Sequence, residues 1–268
     1  MYNIDELFLL AKRVCSEAND YFYKISYNKK AEIIEYKTKD HPVFNFDIKL
    51  DEFIRNKLLN TNIQIISEEN FSGENLKNEF WLIDPIDGSK ELLLKKKSTI
   101  NISFVKNGYP IFGVINDIFT KKQFSGISNK INYNKIFTEN IILNKKLNLI
   151  TSRLHKNKKD LNFIEINKFG NISSISSSLK FIAISNSNYD LYSRFEGSSG
   201  WDTSAGQAII EANGGTVIDL NTLQRLCYKN KTLRNPPFLA LRNNLKLQSF
   251  NKDTLEIKLY ENTDISGR

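Results

Sequence analysis

Long apolar runs are missing from this sequence: no stretch approaches the roughly 18 residues that a membrane-spanning helix needs. Cysteine and histidine are scarce too, with two of each in 268 residues. Cys15 and Cys227 lie far apart, so they form neither a zinc-ligand spacing nor a disulfide framework. A buried structural role, or none, suits both. His41 and His155 leave chemistry built on a histidine base with few candidates. No secretory leader is expected, because acids interrupt the apolar residues of "MYNIDELFLLAKRVCSEAND" and no basic segment precedes them. The expectation is a cytoplasmic protein without stable membrane insertion, with peripheral attachment to the inner membrane left open.

Lysine is abundant. The net charge is +8 and the isoelectric point is near 9.2. Such a balance invites a nucleic-acid partner. Lys, Asn and Ile, however, recur along the whole chain, as A/T-rich codons produce, and the densest basic clusters (95–97 and 155–160) carry no interleaved aromatics. A positive field that draws in a small polyanionic substrate is equally compatible, and no nucleic acid is expected. The length and an apolar share of 40% allow a proper core in one large domain or two modest ones.

Periodicity predicts an amphipathic N-terminal helix carrying Leu7, Leu10, Ala11 and Val14. A strand follows at 31–37, a polar turn at Thr38–Pro42, and a helix at 46–59 with Ile48, Phe53, Ile54 and Leu58 on one side. The apolar runs 62–70 and 80–85 read as strands that end in acids. Residues 99–118 have the pattern of a β-hairpin turning at Asn107-Gly108. The polar segment 125–146 suggests a soft boundary between an α+β half (1–135) and an α/β half (136–268). In the second half, 147–152 reads as a strand and 178–187 as an apolar helix or strand. Residues 200–220 read as a helix with Ala205, Ala208, Ile209 and Ala212 on one face, closed by Gly214-Gly215 and followed by a strand.

The chemistry is concentrated where apolar segments end. Glu68-Glu69, Asp84-x-x-Asp87 and Asp202 all stand at such junctions. Taken singly, they suit a solvated strand end, a turn and a helix N-cap. Taken together they favour function, since carboxylates resist burial and mutual approach unless cations neutralise them. Oxygen ligands without His or Cys select a hard cation such as magnesium. Two or three such ions would create the arrangement that activates water and stabilises a leaving oxygen in phosphoryl transfer. In "DPIDGSKELL", Pro85 stiffens the turn so that the Ile86 carbonyl can face the metals. Gly88 and Ser89 open a helix whose N–H groups suit a phosphate.

These segments resemble the signatures of the inositol monophosphatase superfamily. "WLIDPIDGSKELL" is similar to its W-x-x-D-P-x-D-G-S/T motif, "GWDTSAGQAIIEANGG" to its W-D-x-A/S-A motif, and "SEEN" to its acidic pair. The Lys-Glu after Gly-Ser, "SSLKF" (177–181), "LYSRF" (191–195) and "NPPF" (235–238) look like the CysQ-type branch, the 3'(2'),5'-bisphosphate nucleotidases. The resemblance implies an α/β (α+β) fold, a layered αβαβα sandwich, with the site between its halves. It implies a magnesium-dependent phosphomonoesterase, commonly inhibited by lithium, that hydrolyses adenosine 3',5'-bisphosphate to AMP and phosphate in sulfur assimilation.

Carried over residue by residue, the resemblance places Glu68, Asp84 and the Ile86 carbonyl on a first metal, and Asp84, Asp87 and Asp202 on a second. Glu68 and the Ser89 hydroxyl would orient the water, with Asp47 in the same catalytic group. The N–H groups of Gly88 and Ser89 would hold the phosphate. Lys180 and Arg194 are candidates for contacting the nucleotide, against the plainer reading of a surface charge or local salt bridge. The chain departs from the family pattern at Phe44, where a Thr is usual, at Ser89 for Thr, and at Ser176 for Gly. An inositol or sugar monophosphatase stays open as an alternative, since the metal site does not choose the alcohol. A nucleic-acid-binding module rests on the basic charge alone. A homodimer is also left open.

Overall fold

The computed structural model describes residues 3–27, 33–38, 41–73, 75–93, 97–128, 141–142, 146–152 and 157–261. His155, most of the polar segment 125–146 and parts of both basic clusters lie outside the described residues. In chain order the elements are α1 (Ile4–Ser26), β1 (Ile33–Thr38), β2 (His41–Phe44), α2 (Asn45–Leu58), β3 (Gln64–Ser67), β4 (Glu79–Asp87), α3 (Ser89–Leu93), β5 (Thr99–Lys106), β6 (Tyr109–Asp117), β7 (Gln123–Ile127), β8 (Ile141–Ile142) and β9 (Leu149–Ser152). They continue with α4 (Lys158–Asn167), β10 (Ile172–Ile175), α5 (Leu179–Ser185), β11 (Leu191–Arg194), α6 (Ser204–Ala212), β12 (Thr216–Asp219), β13 (Gln224–Arg225), β14 (Phe238–Leu241), β15 (Leu245–Phe250) and β16 (Ile257–Glu261). No helix among the described residues is long and apolar enough to cross a membrane.

Two sheets form the frame. A five-stranded sheet runs β3-β4-β5-β6-β7, parallel between β3 and β4 and antiparallel beyond. A six-stranded mixed sheet runs β10-β9-β11-β14-β12-β13. Period-two alternation sorts their side chains into layers. On β4, Trp81 and Ile83 pack towards α1 and α2, while Phe80 and Leu82 join Phe181 of α5 and Ile210 of α6. On β14, Phe238 and Ala240 point into that same middle layer, and Leu239 and Leu241 meet Phe163 of α4. The result is the expected αβαβα sandwich, with a small sheet (β15-β16-β8) sharing the last layer with α4. Each large apolar side chain fully buried in these layers contributes about 1.5–3 kcal/mol. The buried Trp81 donates its Nε1–H to Thr61 Oγ1 at 3.0 Å, so its polar atom is satisfied.

Several local expectations sharpen. The hairpin turns where expected, with positive φ at Asn107 and Gly108, 52° and 81°, as a two-residue hairpin loop needs. The 178–187 segment is a helix, α5. The buried stripe of α2 is Phe46, Leu50, Ile54 and Leu58, whereas Ile48 and Phe53 are half-buried. On α1, Leu7, Ala11 and Val14 are buried and Leu10 is half-buried.

α6 lies against the five-stranded sheet at unusually close range. A Cβ on Gly113 of β6 would stand 2.2 Å from the Ala205 carbonyl oxygen and 2.5 Å from its Cα. Only a residue without a side chain lets the strand and helix backbones approach this closely. At the other end of α6, fully buried Glu211 pairs with Arg225 of β13 at 2.5 Å, and Arg225 also donates to the Pro110 carbonyl at the start of β6. Glu211 accepts further bonds from Ser128 (2.7 Å) and Gln207 (3.0 Å), which satisfy a charge that would otherwise be costly to bury. Both ends of the helix are thus fixed to the sheet that carries Asp84.

Candidate active site

The site lies where β3 and β4 end, facing the start of α6. β4 does not stop at Pro85, as the apolar run suggested; it continues to Asp87 with a bulge. Asp84 pairs with Asn101 and Asp87 with Thr99, so β4 spends one residue more than β5. A bulge turns its strand and re-aims side chains, and it tolerates proline. Both aspartates thereby lie at one corner. On the neighbouring strand the Glu68 N–H donates to the Ile83 carbonyl at 3.1 Å, prolonging the β3–β4 ladder by one residue and fixing where Glu68 projects.

Asp202 arrives from the segment between β11 and α6. It ends the 3-10 turn Gly200–Asp202, and its Oδ2 accepts from the Ser199 N–H at 2.8 Å. It therefore closes that turn rather than capping α6, whose N-cap is Thr203. The loop is pinned from behind: Asn235 Nδ2 donates to the Ser199 carbonyl (2.6 Å) and to Thr203 Oγ1 (3.0 Å), and the Tyr228 hydroxyl contacts the same Thr203 oxygen at 3.0 Å.

Carboxylate oxygens of Glu68, Asp84 and Asp202 lie within 4.8 Å of one another. Both oxygens of Asp84 are buried and, among the described residues, accept no hydrogen bond. A buried carboxylate without donors, facing two more carboxylates, is a costly arrangement unless a cation completes it. An all-oxygen donor set of this kind fits a hard divalent ion. Asp87 stands beside this trio, its Oδ2 accepting from the Ser178 hydroxyl at 2.6 Å.

The electrostatics agree. Burial, reinforced by Glu68, Asp87, Asp202 and Glu69, holds the Asp84 carboxyl well above the usual carboxylate range. Burial and then the charge of Asp87 push Asp202 up to about 6, against the Ser199 N–H and the cations Arg194 and Lys180. A carboxylate whose pKa is raised on folding binds more protons folded than unfolded. Its stabilising contribution is complete below the unfolded value near 4 and is lost as pH rises through about 6. The melting temperature of chelator-treated protein is therefore expected to fall between about pH 4 and pH 7, and magnesium is expected to flatten that slope. A metal-free melting temperature that rises over the same interval would contradict the placement of these acids.

Asp47 and Ser89 form a second feature. Buried Asp47, near the start of α2, accepts from the Phe44 N–H through Oδ2 (2.7 Å) and meets the Ser89 hydroxyl through Oδ1 (2.8 Å). The same hydroxyl lies 2.9 Å from the Ile86 carbonyl oxygen. Asp47 is held by the backbone at Phe44, so the missing threonine hydroxyl does not displace it. Phe44 instead buries its ring. Gly88 precedes Ser89 with φ of 88°.

Lys180 and Arg194 are not surface charges. Both are buried, and neither forms an ion pair within 4 Å among the described residues. Lys180 Nζ donates to the Ser177 carbonyl at 2.6 Å and lies 5.5 Å from the Tyr192 ring centre. Burial brings its pKa down to about 8, with Asp87 acting in the opposite direction. Arg194 Nε donates to the Glu196 carbonyl at 2.7 Å, and its Nη2 donates to the Gly197 carbonyl. Three further residues at the site were given no role by the sequence reading, although two of them lie in its "SSLKF" segment. Ser177 has a φ of 54° and a buried hydroxyl without a partner, and a Cβ on Gly88 would lie 3.6 Å from its Cβ. Ser178 donates to Asp87, and Asn101 in turn donates to the Ser178 hydroxyl. A serine in a serine-rich run and an asparagine in an apolar strand give no signal that separates them from ordinary polar residues.

Known proteins share this arrangement of chain. The profile of the inositol monophosphatase family matches residues 6–252. The 3'(2'),5'-bisphosphate nucleotidase CysQ of Buchnera aphidicola subsp. Acyrthosiphon pisum is 36% identical over 206 residues, covering 71% of this chain and 76% of the relative. The CysQ nucleotidase of Salmonella typhimurium is 30% identical over 205 residues, covering 70% and 81%. Among solved structures, CysQ from Bacteroides thetaiotaomicron superposes with a TM-score of 0.74 at 23% identity, over 89% of this chain and 98% of that one. A profile that spans both acidic corners, and relatives that extend across both sheets, leave no room for a chance likeness of one motif: this chain belongs to the inositol monophosphatase family.

Proposed function

We propose that the chain is a magnesium-dependent 3'(2'),5'-bisphosphate nucleotidase that hydrolyses adenosine 3',5'-bisphosphate to AMP and phosphate. The observation that carries the reading is the meeting of Glu68, Asp84 and Asp202 around a buried Asp84 carboxylate that accepts no hydrogen bond. The relatives named as bisphosphate nucleotidases favour the nucleotide over other phosphate esters.

Glu68, Asp84 and the Ile86 carbonyl would hold one ion, and Asp84, Asp87 and Asp202 a second, with a third accommodated nearby. When bound, such ions neutralise the acids, lower the pKa of water and stabilise the leaving oxygen. The chain's own groups do the rest. The Ser89 hydroxyl donates to Asp47, which leaves its lone pairs free to take up a hydrogen bond from the attacking water. Glu68 would orient that water from the metal side. Attack on phosphorus breaks the bond to the ribose oxygen, and the N–H groups of Gly88 and Ser89 hold the phosphate during the exchange. Lys180, Arg194 and the free hydroxyl of Ser177 supply cations and a donor beside Gly88 for the rest of the nucleotide.

Phosphate release from purified protein, measured with adenosine 3',5'-bisphosphate and with inositol 1-phosphate in magnesium, tests the assignment. Faster turnover of the nucleotide, abolished by EDTA, is expected. Preference for inositol 1-phosphate would reassign the substrate, and EDTA-resistant turnover would remove the metal from the account.

A further inference from the structure

We propose that Ser178, held in turn by Asn101, is a positioning residue that registers Asp87 against Asp202 and so sets the affinity of the acidic site for divalent cations. The inference rests on the metal-site reading above. Ser178 occupies the N-cap position of α5, where a serine ordinarily spends its oxygen on the first free N–H groups of the helix. Here it makes no such bond. The side chain is 1% exposed and turned towards the acids instead.

Three chain segments meet at that one hydroxyl. Its oxygen lies 2.6 Å from Asp87 Oδ2, 3.0 Å from the Asp202 carbonyl oxygen and 2.8 Å from Asn101 Nδ2. Proton accounting fixes the direction of each bond. The amide nitrogen of Asn101 only donates, so Ser178 accepts there. Its single proton goes to the Asp87 carboxylate, a charge-assisted bond at the short end of the range. The Asp202 carbonyl is the alternative acceptor, close enough to take that proton if Asp87 turns away. Asn101 is fully buried on β5 and pairs across the sheet with Asp84, at the edge of the bulge. The relay thus runs from the strand opposite Asp84, through Ser178, to the side chain of Asp87 and the backbone of Asp202.

A partner that orients a ligand without touching the ion typically sets metal affinity by about 10- to 100-fold. Titration calorimetry with magnesium on the intact chain tests this for Ser178→Ala, Ser178→Thr and Asn101→Leu. Ser178→Ala and Asn101→Leu are each expected to weaken magnesium binding by at least about 10-fold. The magnesium concentration for half-maximal turnover should rise by the same factor, while KM for the nucleotide at saturating magnesium stays near the wild-type value. Ser178→Thr, which keeps the hydroxyl, is expected to bind far more tightly than the alanine variant. Wild-type magnesium affinity in both Ser178→Ala and Asn101→Leu, or a fall in kcat that saturating magnesium does not repair, would overturn the proposal. Should the wild-type chain itself take up no magnesium, the metal-site reading fails instead.

Discussion

Asp84→Asn is expected to lower nucleotide turnover by more than about 100-fold, the upper end of what loss of a mere supporting partner costs, while making the metal-free protein more stable. The two effects have one cause. Asp84 is buried with no donor to either oxygen, and four neighbouring acids oppose its charge. An uncharged amide of the same shape removes that repulsion and the cost of burying a charge. The same change deletes the carboxylate shared by both proposed ion positions. Magnesium at about 100 times its dissociation constant adds about 2.7 kcal/mol to a protein that binds it only when folded, or roughly 5–10 °C for a chain of this size. Thermal melts should show that gain for the wild type and not for Asp84→Asn. A variant that melts lower than wild type in EDTA, or that turns over normally in magnesium, would refute this picture of the corner.

Gly113→Ala is expected to be nearly as damaging, although Gly113 belongs to no motif. The added carbon would meet the backbone of Ala205 at 2.2–2.7 Å. No rotamer change relieves a clash with backbone, so α6 must move away from β6 by about 1 Å. Overpacking of this kind costs about 1–3 kcal/mol. Asp202 stands at the head of α6, and its distance from Asp84 is set by this contact. A misplacement of about 1 Å can cost about 100-fold in rate. Kinetics at rising magnesium should show a large loss of turnover with the fold retained in circular dichroism. Wild-type turnover in Gly113→Ala would mean that the spacing between sheet and helix does not govern the site.

Much of this was legible in the sequence because it is local. Strand ends that finish in acids, the Asn107-Gly108 turn and the alanine face of α6 follow from periodicity and turn chemistry acting over a few residues. What was not legible depends on tertiary approach. Periodicity and spacing around Asp202 do not say that it faces Asp84, and only the resemblance of its motif implied it; the bulge at Asp84–Asp87, the bare backbone of Gly113 and the Glu211–Arg225 pair bring them together. By composition Lys180 and Arg194 look like any other cations in a basic chain; the family resemblance singled them out, and burial sets them apart from the surface charges. Ser178 looks like a helix cap and instead links Asp87 with the Asp202 backbone.

Crystals soaked in manganese, a scatterer that takes magnesium's oxygen ligands, test the central claim most directly through an anomalous difference map. An anomalous peak bonded to oxygens of both Glu68 and Asp84, at about the 2.0–2.2 Å of a hard divalent ion, with Asp202 within reach of the same cluster, is the expected result. A map without a peak at this corner, or coordinates that hold Asp202 away from Asp84 with the ion bound, would contradict it.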